Sequence, residues 1–368
     1  MLDNVIDVTE LCRHSLMCRH VCPVGNLTRM ETLTPHGWAQ LIALERRGLS
    51  SWNAETVDAL YKCADCGNCR SHCVYGNPLP EGIAAARAQV VEQGLAPAIV
   101  YEMGEILEKW ENPFVPQRPE KAAGKGEVAL FVGDEAHFLK PALVAAALEL
   151  LRAVGVEPVL IGRGRSNGYL ATSLGLPGIA HDLALANLAE LEASGARRLF
   201  VLSPGDFFAF TQMYDERLGL RVPASVEVLE VIPFLAERLD SGVLKLRRSA
   251  GSTRVAYVDP THSVRVKDRF PAPRRLLDAV LPAPATELFW RDGRAYPCGD
   301  LALQFTQPQI ADALTQARLL DAAEAGAGMV VTEGPGSLAH LERHSGEHGL
   351  EIRGLYELLA EHLPDPPN

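Results

Sequence analysis

Seven of the eight cysteines of this 368-residue chain lie between Cys12 and Cys73, and the eighth, Cys298, comes far later. The chain therefore divides into a cysteine-rich head and a cysteine-poor body. Its first residues, MLDNVIDVTEL, lack the basic end and unbroken apolar stretch of a signal peptide. We therefore expect a cytoplasmic protein whose cysteines are thiols or metal ligands, because disulfides rarely persist in a reducing compartment.

The strongest pattern is a C-x2-C-x2-C-x3-C run formed by Cys63, Cys66, Cys69 and Cys73. Three thiolates spaced in this way can bind three corners of an iron–sulfur cube, and the fourth, displaced by one residue, points toward a neighbouring cluster. Zinc sites usually combine two separated cysteine pairs, and disulfides need an oxidising environment. The spacing therefore predicts iron–sulfur ligands rather than zinc ligands or disulfides.

A second run precedes it, in the same frame but with a serine at the second position: Cys12, Ser15, Cys18 and Cys22. In two-cluster proteins the fourth cysteine of each run binds the other cluster. This exchange predicts that Cys22 joins the first three cysteines of the later run around a complete [4Fe–4S] cluster. Cys12 and Cys18 then hold the second cluster together with Cys73.

Ser15 leaves the fourth corner of the second cluster open to several chemistries. Its oxygen can bind the iron, water can bind there, or the iron can be absent to leave [3Fe–4S]; Ser15 can equally do no more than cap a turn. We favour a [3Fe–4S] cluster, or a [4Fe–4S] cluster that is incompletely ligated by cysteine. The reason is that a serine oxygen is a harder and less acidic ligand than a thiolate.

Charge and composition exclude several classes of protein. The chain has 35 Lys and Arg against 46 Asp and Glu, a net charge of −11, so its overall field repels nucleic acid. The longest apolar run, 141–156, is interrupted by Glu149 and Arg152 and is shorter than the roughly 20 residues of a membrane span. We therefore expect no transmembrane segment and two or three compact domains.

The spacing of apolar residues divides the chain further. A helical head, residues 1–112, is followed by a linker at 113–127 that is rich in Pro, Gly and charge. Beyond it, strands such as 128–132 and 329–332 alternate with helices, as in a parallel α/β sheet. GARRLFVLSPG at 195–205 aligns with GAGMVVTEGPG at 326–336, which predicts two similar α/β domains, 128–248 and 249–368.

The two cysteine runs, and the segment ETLTPHG at 31–37 between them, resemble a known domain. It is the α-helical ferredoxin domain of heterodisulfide reductase-like and glycolate or lactate oxidase-type iron–sulfur subunits. Members of that family often follow it with two α/β modules that carry cysteine-rich CCG motifs. The resemblance implies an α + α/β fold: an N-terminal α-helical dicluster ferredoxin domain, then two similar CCG-like α/β domains.

The body departs from that family where the family has cysteines. The matching positions hold Asp134, the loop 162–165 and Asp206 in the first module, and Thr261, Pro297-Cys298-Gly299, Gly334 and Ser337 in the second. Only Cys298 keeps a thiol, which we interpret as a buried small residue. Because one thiolate cannot hold a cluster, the resemblance implies degenerate modules without disulfide chemistry.

The resemblance implies a non-catalytic electron-transfer subunit of an oxidoreductase complex. Its partner would be a flavoprotein dehydrogenase for a 2-hydroxy acid or, second, an amine. Single electrons would pass to an electron-transfer flavoprotein, a quinone-linked acceptor or another carrier, and only such partners would bring the chain to a membrane.

We assign no catalytic residue. Asp259, His262, Arg265 and Asp268 include no nucleophile, and no metal-ligand spacing joins them. The alternative function is that of an enzyme in its own right, in which the open iron corner beside Ser15 binds substrate as a Lewis acid.

Overall fold

The computed structural model describes residues 7, 9–13, 15–121 and 124–364. The opening residues 1–6, part of the stretch from which we predict that there is no signal peptide, lie outside the described residues. No helix within the described ranges has the length and apolarity needed to cross a lipid bilayer.

The head is helical, as the spacing of its apolar residues predicts. Its longest helices carry the core side chains, while the cysteines lie in short helices and in the loops that join them. The helices are α1 (Pro23–Thr28), α2 (Pro35–Arg46), α3 (Ala54–Tyr61), α4 (Asn68–Ser71), α5 (Leu79–Glu92) and α6 (Ala98–Trp110). At the start of α3, Asn53 accepts hydrogen bonds from the Glu55 and Thr56 amides while the Thr56 hydroxyl accepts from the Asn53 amide, so both unpaired ends are satisfied.

The body contains two four-stranded sheets, and all of their strands are parallel. The first has the order β2-β1-β3-β4 and the second the order β6-β5-β7-β8. Their strands are β1 (Val128–Val132), β2 (Val159–Arg163), β3 (Arg198–Val201), β4 (Glu227–Glu230), β5 (Val255–Tyr257), β6 (Thr286–Glu287), β7 (Met329–Thr332) and β8 (Glu351–Gly354). The prediction of parallel α/β sheets is confirmed.

Helices cover both faces of these sheets. Those around the first sheet are α7 (Pro141–Ala153), α8 (Tyr169–Leu174), α9 (Pro177–Ser194), α10 (Pro204–Phe208), α11 (Tyr214–Leu218) and α12 (Val231–Asp240). Those around the second are α13 (Pro271–Val280), α14 (Leu303–Thr306), α15 (Pro308–Glu324), α16 (Pro335–His344) and α17 (Leu355–Ala360). Because a central parallel strand is buried on both faces, β1 is a continuous apolar run.

The two segments that align in the sequence occupy the same place in the two sheets. GARRLFVLSPG contains β3 and GAGMVVTEGPG contains β7, and each of these strands is third in its sheet. The register agrees as well, since Ala129 of β1 pairs with Leu199 of β3, and Ala256 of β5 pairs with Val330 of β7.

The head shares one hydrophobic core with both halves of the body. Leu174 and Leu183 beside the first sheet and Leu303 and Leu314 beside the second belong to the same buried cluster as Trp38 of the head. Side chains reinforce this packing. Arg87 of α5 is buried and donates hydrogen bonds to the carbonyls of Leu60, Cys63 and Ser173.

Gly175 marks the closest approach of the head to the body. It has a φ of +86°, and a Cβ there would lie 2.5 Å from the backbone carbon of Arg87. Only glycine fits this left-handed conformation at such a short distance.

The segment predicted as a linker contains no helix or strand in its described residues, 113–121 and 124–127. It is nevertheless tied to the body. Glu120 pairs with Arg163 at 2.6 Å, and the amide of Gly126 donates to the Ser194 carbonyl at 3.0 Å. The domain boundaries themselves stay a prediction.

Candidate iron–sulfur sites

The head contains two neighbouring cavities, and the cysteines separate between them. We name Cys22, Cys63, Cys66 and Cys69 the inner set, because they line a cavity walled by Trp38 and prolines. We name Cys12, Cys18 and Cys73 the outer set, because they line a second cavity together with Ser15. Cys69 reaches the wall of the outer cavity as well. Each cavity thus takes one cysteine from the other run, Cys22 in the inner set and Cys73 in the outer.

Local backbone structure places the inner cysteines. Cys22 is the N-cap of α1, and its sulfur accepts a hydrogen bond from the Gly25 amide at 3.3 Å. The Cys63 sulfur accepts from the Asp65 amide at 3.4 Å. Gly67 turns the loop with a φ of +89° and leads into α4, which carries Cys69. Amide donors directed at sulfur favour the thiolate form that binds iron.

Burial strongly affects the inner thiols. It raises the pKa of Cys63 to about 12 and that of Cys66 to about 11, and it moves the pKa of Cys22 and Cys69 well above the usual value, with the neighbouring thiols adding to the effect. In the outer set, burial and then Cys12 raise the pKa of Cys18 to about 11. Without positive charge nearby these thiols stay protonated, whereas iron binds thiolates and supplies that charge.

The arrangement suits clusters better than a single metal ion. No three His, Cys, Asp or Glu side chains within the described ranges converge as the ligands of one ion. In a cluster each cysteine binds a different iron, so the sulfurs surround a space instead of meeting at a point. The donors of the inner cavity therefore fit a four-iron cluster.

The two sets differ in exposure. Cys22 is 5% exposed and Cys66 9%, whereas Ser15 lies at the surface beside the exposed apolar side chains of Leu16 and Met17. The outer cavity therefore has an open corner at the position where the sequence lacks a cysteine.

A buried ion network connects the inner loop to the body, and the sequence gives no sign of it. Asp65, between two inner cysteines, pairs with Arg265 at 2.8 Å and with Arg217 at 3.6 Å. Both arginines also pair with the buried Glu81. Burial alone would raise the pKa of Asp65, but the two guanidinium groups outweigh it and hold the pKa at about 2.

Arg265 also shapes the inner loop directly. Its guanidinium donates to the backbone carbonyl of Asp65 at 2.7 Å, and its side chain lies where a Cβ of Gly67 would be, about 3.0 Å away. Tyr169 donates to the same carbonyl at 2.9 Å. A permanent positive charge from the second half of the body is therefore fixed against the loop that carries Cys63 and Cys66.

The positions in the body that replace family cysteines mostly converge on one cavity between the two sheets. Asp134, Asp206, Thr261, Gly334 and Ser337 all line it. Cys298 lies outside this lining and is fully buried in an apolar cluster, where burial raises its pKa to about 12. This geometry agrees with its interpretation as a small core residue.

Comparison with known proteins agrees with the head geometry. Residues 11–77 match the family model of the 4Fe-4S dicluster domain. An iron–sulfur relative, one of the subunits of the dihydromethanophenazine:CoB–CoM heterodisulfide reductase of Methanosarcina barkeri, is 24% identical over 326 residues, which cover 84% of this chain and 79% of that protein. The chain is a homologue of this reductase component. The resemblance to heterodisulfide reductase-like iron–sulfur subunits is confirmed.

Two further comparisons extend over most of the chain. A component of the fumarate reductase (CoM/CoB) of Methanothermobacter marburgensis is 22% identical over 315 residues, 82% of this chain but only 61% of that protein. A crystal structure of a hypothetical protein from Helicobacter pylori superposes with a TM-score of 0.65 at 11% identity and covers 91% of this chain and 68% of that one. The second similarity concerns the fold alone.

Proposed function

We propose that this chain is the iron–sulfur electron-transfer subunit of a multi-subunit oxidoreductase. The observation that carries the proposal is the division of seven cysteines between two adjacent cavities, each with one cysteine from the other run. The homologues agree with it, since both are named as subunits of reductases.

In this proposal the inner set holds a [4Fe–4S] cluster. The outer set holds a [3Fe–4S] cluster, or a [4Fe–4S] cluster whose fourth corner beside Ser15 lacks a thiolate. When bound, such clusters accept and release single electrons. Cys69 lines both cavities, which places the two sites next to each other, as transfer between them requires.

The chain's own residues set the environment of each site. Around the inner set they exclude water and supply amide donors and a guanidinium. Around the outer set they form an open apolar rim, where Leu11, Val74 and Tyr75 are 63%, 74% and 71% exposed. An exposed apolar patch of this kind is typical of a protein interaction site, so we place the docking face of the redox partner here.

The proposed partner is a flavoprotein dehydrogenase that oxidises a 2-hydroxy acid or an amine. A flavin takes two electrons from an organic substrate and passes them on one at a time, which is what single-electron clusters need. An electron-transfer flavoprotein or a quinone-linked carrier would then receive the electrons. The body, 128–248 and 249–368, would serve as two degenerate CCG-like modules that support the head.

The exchange of cysteines gives a direct test. Cys22→Ala should damage the inner cluster, and Cys73→Ala the outer one, although each residue belongs to the run of the other site. Electron paramagnetic resonance and iron analysis of the anaerobically purified variants measure which signal is lost. Cys298→Ala is the matched control and should keep both signals. The opposite assignment of the two losses would refute the exchange.

Ser15 at the open corner favours one alternative, an enzyme that binds substrate at an exposed iron. The two functions are distinguished by rapid mixing of the isolated protein with a 2-hydroxy acid or an amine. An electron-transfer subunit should keep its clusters oxidised until the flavoprotein is added. Bleaching by substrate without any flavoprotein would favour the enzyme.

A further inference from the structure

The cavity between the two sheets contains a group of acidic side chains that electron transfer does not use. We name Asp134, Glu135, Asp206 and Asp300 the carboxylate group; all four line this cavity. Asp134 and Glu135 directly follow β1, and Asp206 lies in α10 just after β3. They therefore lie beyond the carboxyl ends of parallel strands, where α/β proteins bind ligands.

No basic side chain balances this group within the cavity. The lining, taken over the described residues, includes no Lys or Arg. Asp206 accepts hydrogen bonds from Asn167 at 2.8 Å and from Ser203 at 2.7 Å, and Asp300 accepts from Thr261 and, at 3.0 Å, from Ser337. These donors are neutral, so they satisfy lone pairs without supplying positive charge.

The cost of this arrangement appears in the pKa values. Burial, and then the charge of Asp206, raise the pKa of Asp134 to about 7, and burial raises that of Asp206 to about 6. A buried carboxylate without a counter-charge is unfavourable. A bound cation would therefore interact favourably with the ionised group.

His262 is an independent sign of a ligand. It is only 4% exposed and lines the same cavity, yet neither ring nitrogen has a hydrogen-bond partner. Its ring is held edge-on against Tyr169, with 4.3 Å between the ring centroids, and parallel to Phe208. Burial lowers its pKa well below the usual value, so the ring is neutral and one nitrogen is a free acceptor.

We propose that this cavity binds a small organic cation, an amine in its ammonium form, between the carboxylate group and His262. An ammonium group carries several N–H donors, which can be shared among carboxylate oxygens and an imidazole nitrogen. A single metal ion fits less well, because three ligand side chains do not converge within the described ranges. A carboxylate ligand would be repelled by the four acidic side chains.

The walls of the cavity suit the carbon part of such a molecule. Phe114, Leu170, Leu301 and Phe305 supply apolar surface beside the acidic side chains. The empty space is about 700 Å³ when the part open to solvent is included, which is within the range of small-molecule sites. The site is distinct from both cysteine cavities, so its occupancy does not depend on the cluster assignment.

Calorimetric titration of the anaerobically purified full-length protein with methylammonium tests the proposal. We expect saturable binding, with methanol as the neutral isostere and acetate as the anion showing none. Trimethylammonium, which keeps the charge but has one N–H, should bind more weakly. Absence of saturable methylammonium binding, or equal binding of acetate, would overturn the assignment.

Two substitutions locate the site. Asp206→Asn and His262→Phe should each weaken methylammonium binding at least tenfold, whereas Asp182→Asn, at a side chain that is 85% exposed, should leave it unchanged. Glu135→Gln replaces Asp206→Asn if circular dichroism shows that the latter fails to fold. Binding that no cavity variant alters would refute the location, and Mn²⁺ binding that these variants abolish, without methylammonium binding, would refute the class of ligand.

Discussion

The inner and outer cysteine sets use the same residue type in opposite surroundings. The inner set is buried, receives amide hydrogen bonds and is supported by Arg87 and Arg265 from outside its own loop. The outer set lies under an exposed apolar rim and includes a serine. The difference teaches that one site is built for permanence and a fixed charge environment, and the other for contact with a partner.

The largest expected effect concerns the support of the inner set. Arg87→Met leaves the carbonyls of Leu60, Cys63 and Ser173 without their donor, and each unpaired buried group costs about 1–3 kcal/mol. We expect the free energy of unfolding to fall by at least about 3 kcal/mol. Denaturant unfolding under anaerobic conditions measures it.

The matched control for this prediction is Arg118→Met. Arg118 is 59% exposed and pairs with Glu111 at the surface, so its loss should cost no more than about 1 kcal/mol. If the two variants lost similar stability, the view of the inner set as the more firmly supported site would be wrong.

The second prediction makes the outer set resemble the inner one. Ser15→Cys supplies a fourth thiolate, which should convert an oxidised three-iron signal into a reduced four-iron signal and add about one iron per chain. The added negative charge should also lower the reduction potential. Electron paramagnetic resonance with iron analysis measures both. Two identical four-iron signals in the native protein, unchanged in the variant, would contradict our account of Ser15.

A smaller effect separates the electrostatics of the two sites. Arg265→Met removes a positive charge beside the inner loop, and because a reduced cluster carries more negative charge, the potential of the inner cluster should fall. The outer potential should move much less. Redox titration followed by electron paramagnetic resonance resolves the two, with the half-exposed Arg275→Met as a charge-matched control. Equal shifts at both clusters would remove the distinction.

The smallest effect concerns docking. Val74→Asp places a charge on the outer rim and should weaken the complex with a flavoprotein partner by about 1–2 kcal/mol. Val243→Asp is the control, since Val243 is 50% exposed on the body. Surface plasmon resonance with the co-purifying partner measures both affinities, and equal losses would show that the rim is not the contact.

The sequence predicted the strands that have continuous apolar character. Residues 128–132 and 329–332 are strands at those bounds. It did not predict β4 and β8. Each has four residues, begins with an exposed glutamate and has only half-buried residues before its last one. Such edge strands are defined by pairing with β3 and β7, which local sequence does not record.

The candidate sites divide in the same way. Regular spacing predicted which cysteines share a cavity, because neighbouring ligands lie close together in the chain. The contact between Asp65 and Arg265 joins positions 200 residues apart and has no local signal. The carboxylate cavity did have a signal, since Asp134 and Asp206 each follow a predicted strand, and ends of parallel strands meet at one edge of a sheet.

The shared core of the head and body has a consequence for how the protein is made. Leu303 and Leu314 complete the apolar packing around Trp38, so the ribosome must deliver more than 300 residues before the head can close. During that interval the cysteines of both runs are accessible thiols on an unfinished surface. Iron–sulfur assembly proteins therefore have a long window in which to load the head, and a nascent chain that stalls before Leu303 releases a head whose cluster sites lack part of their enclosure.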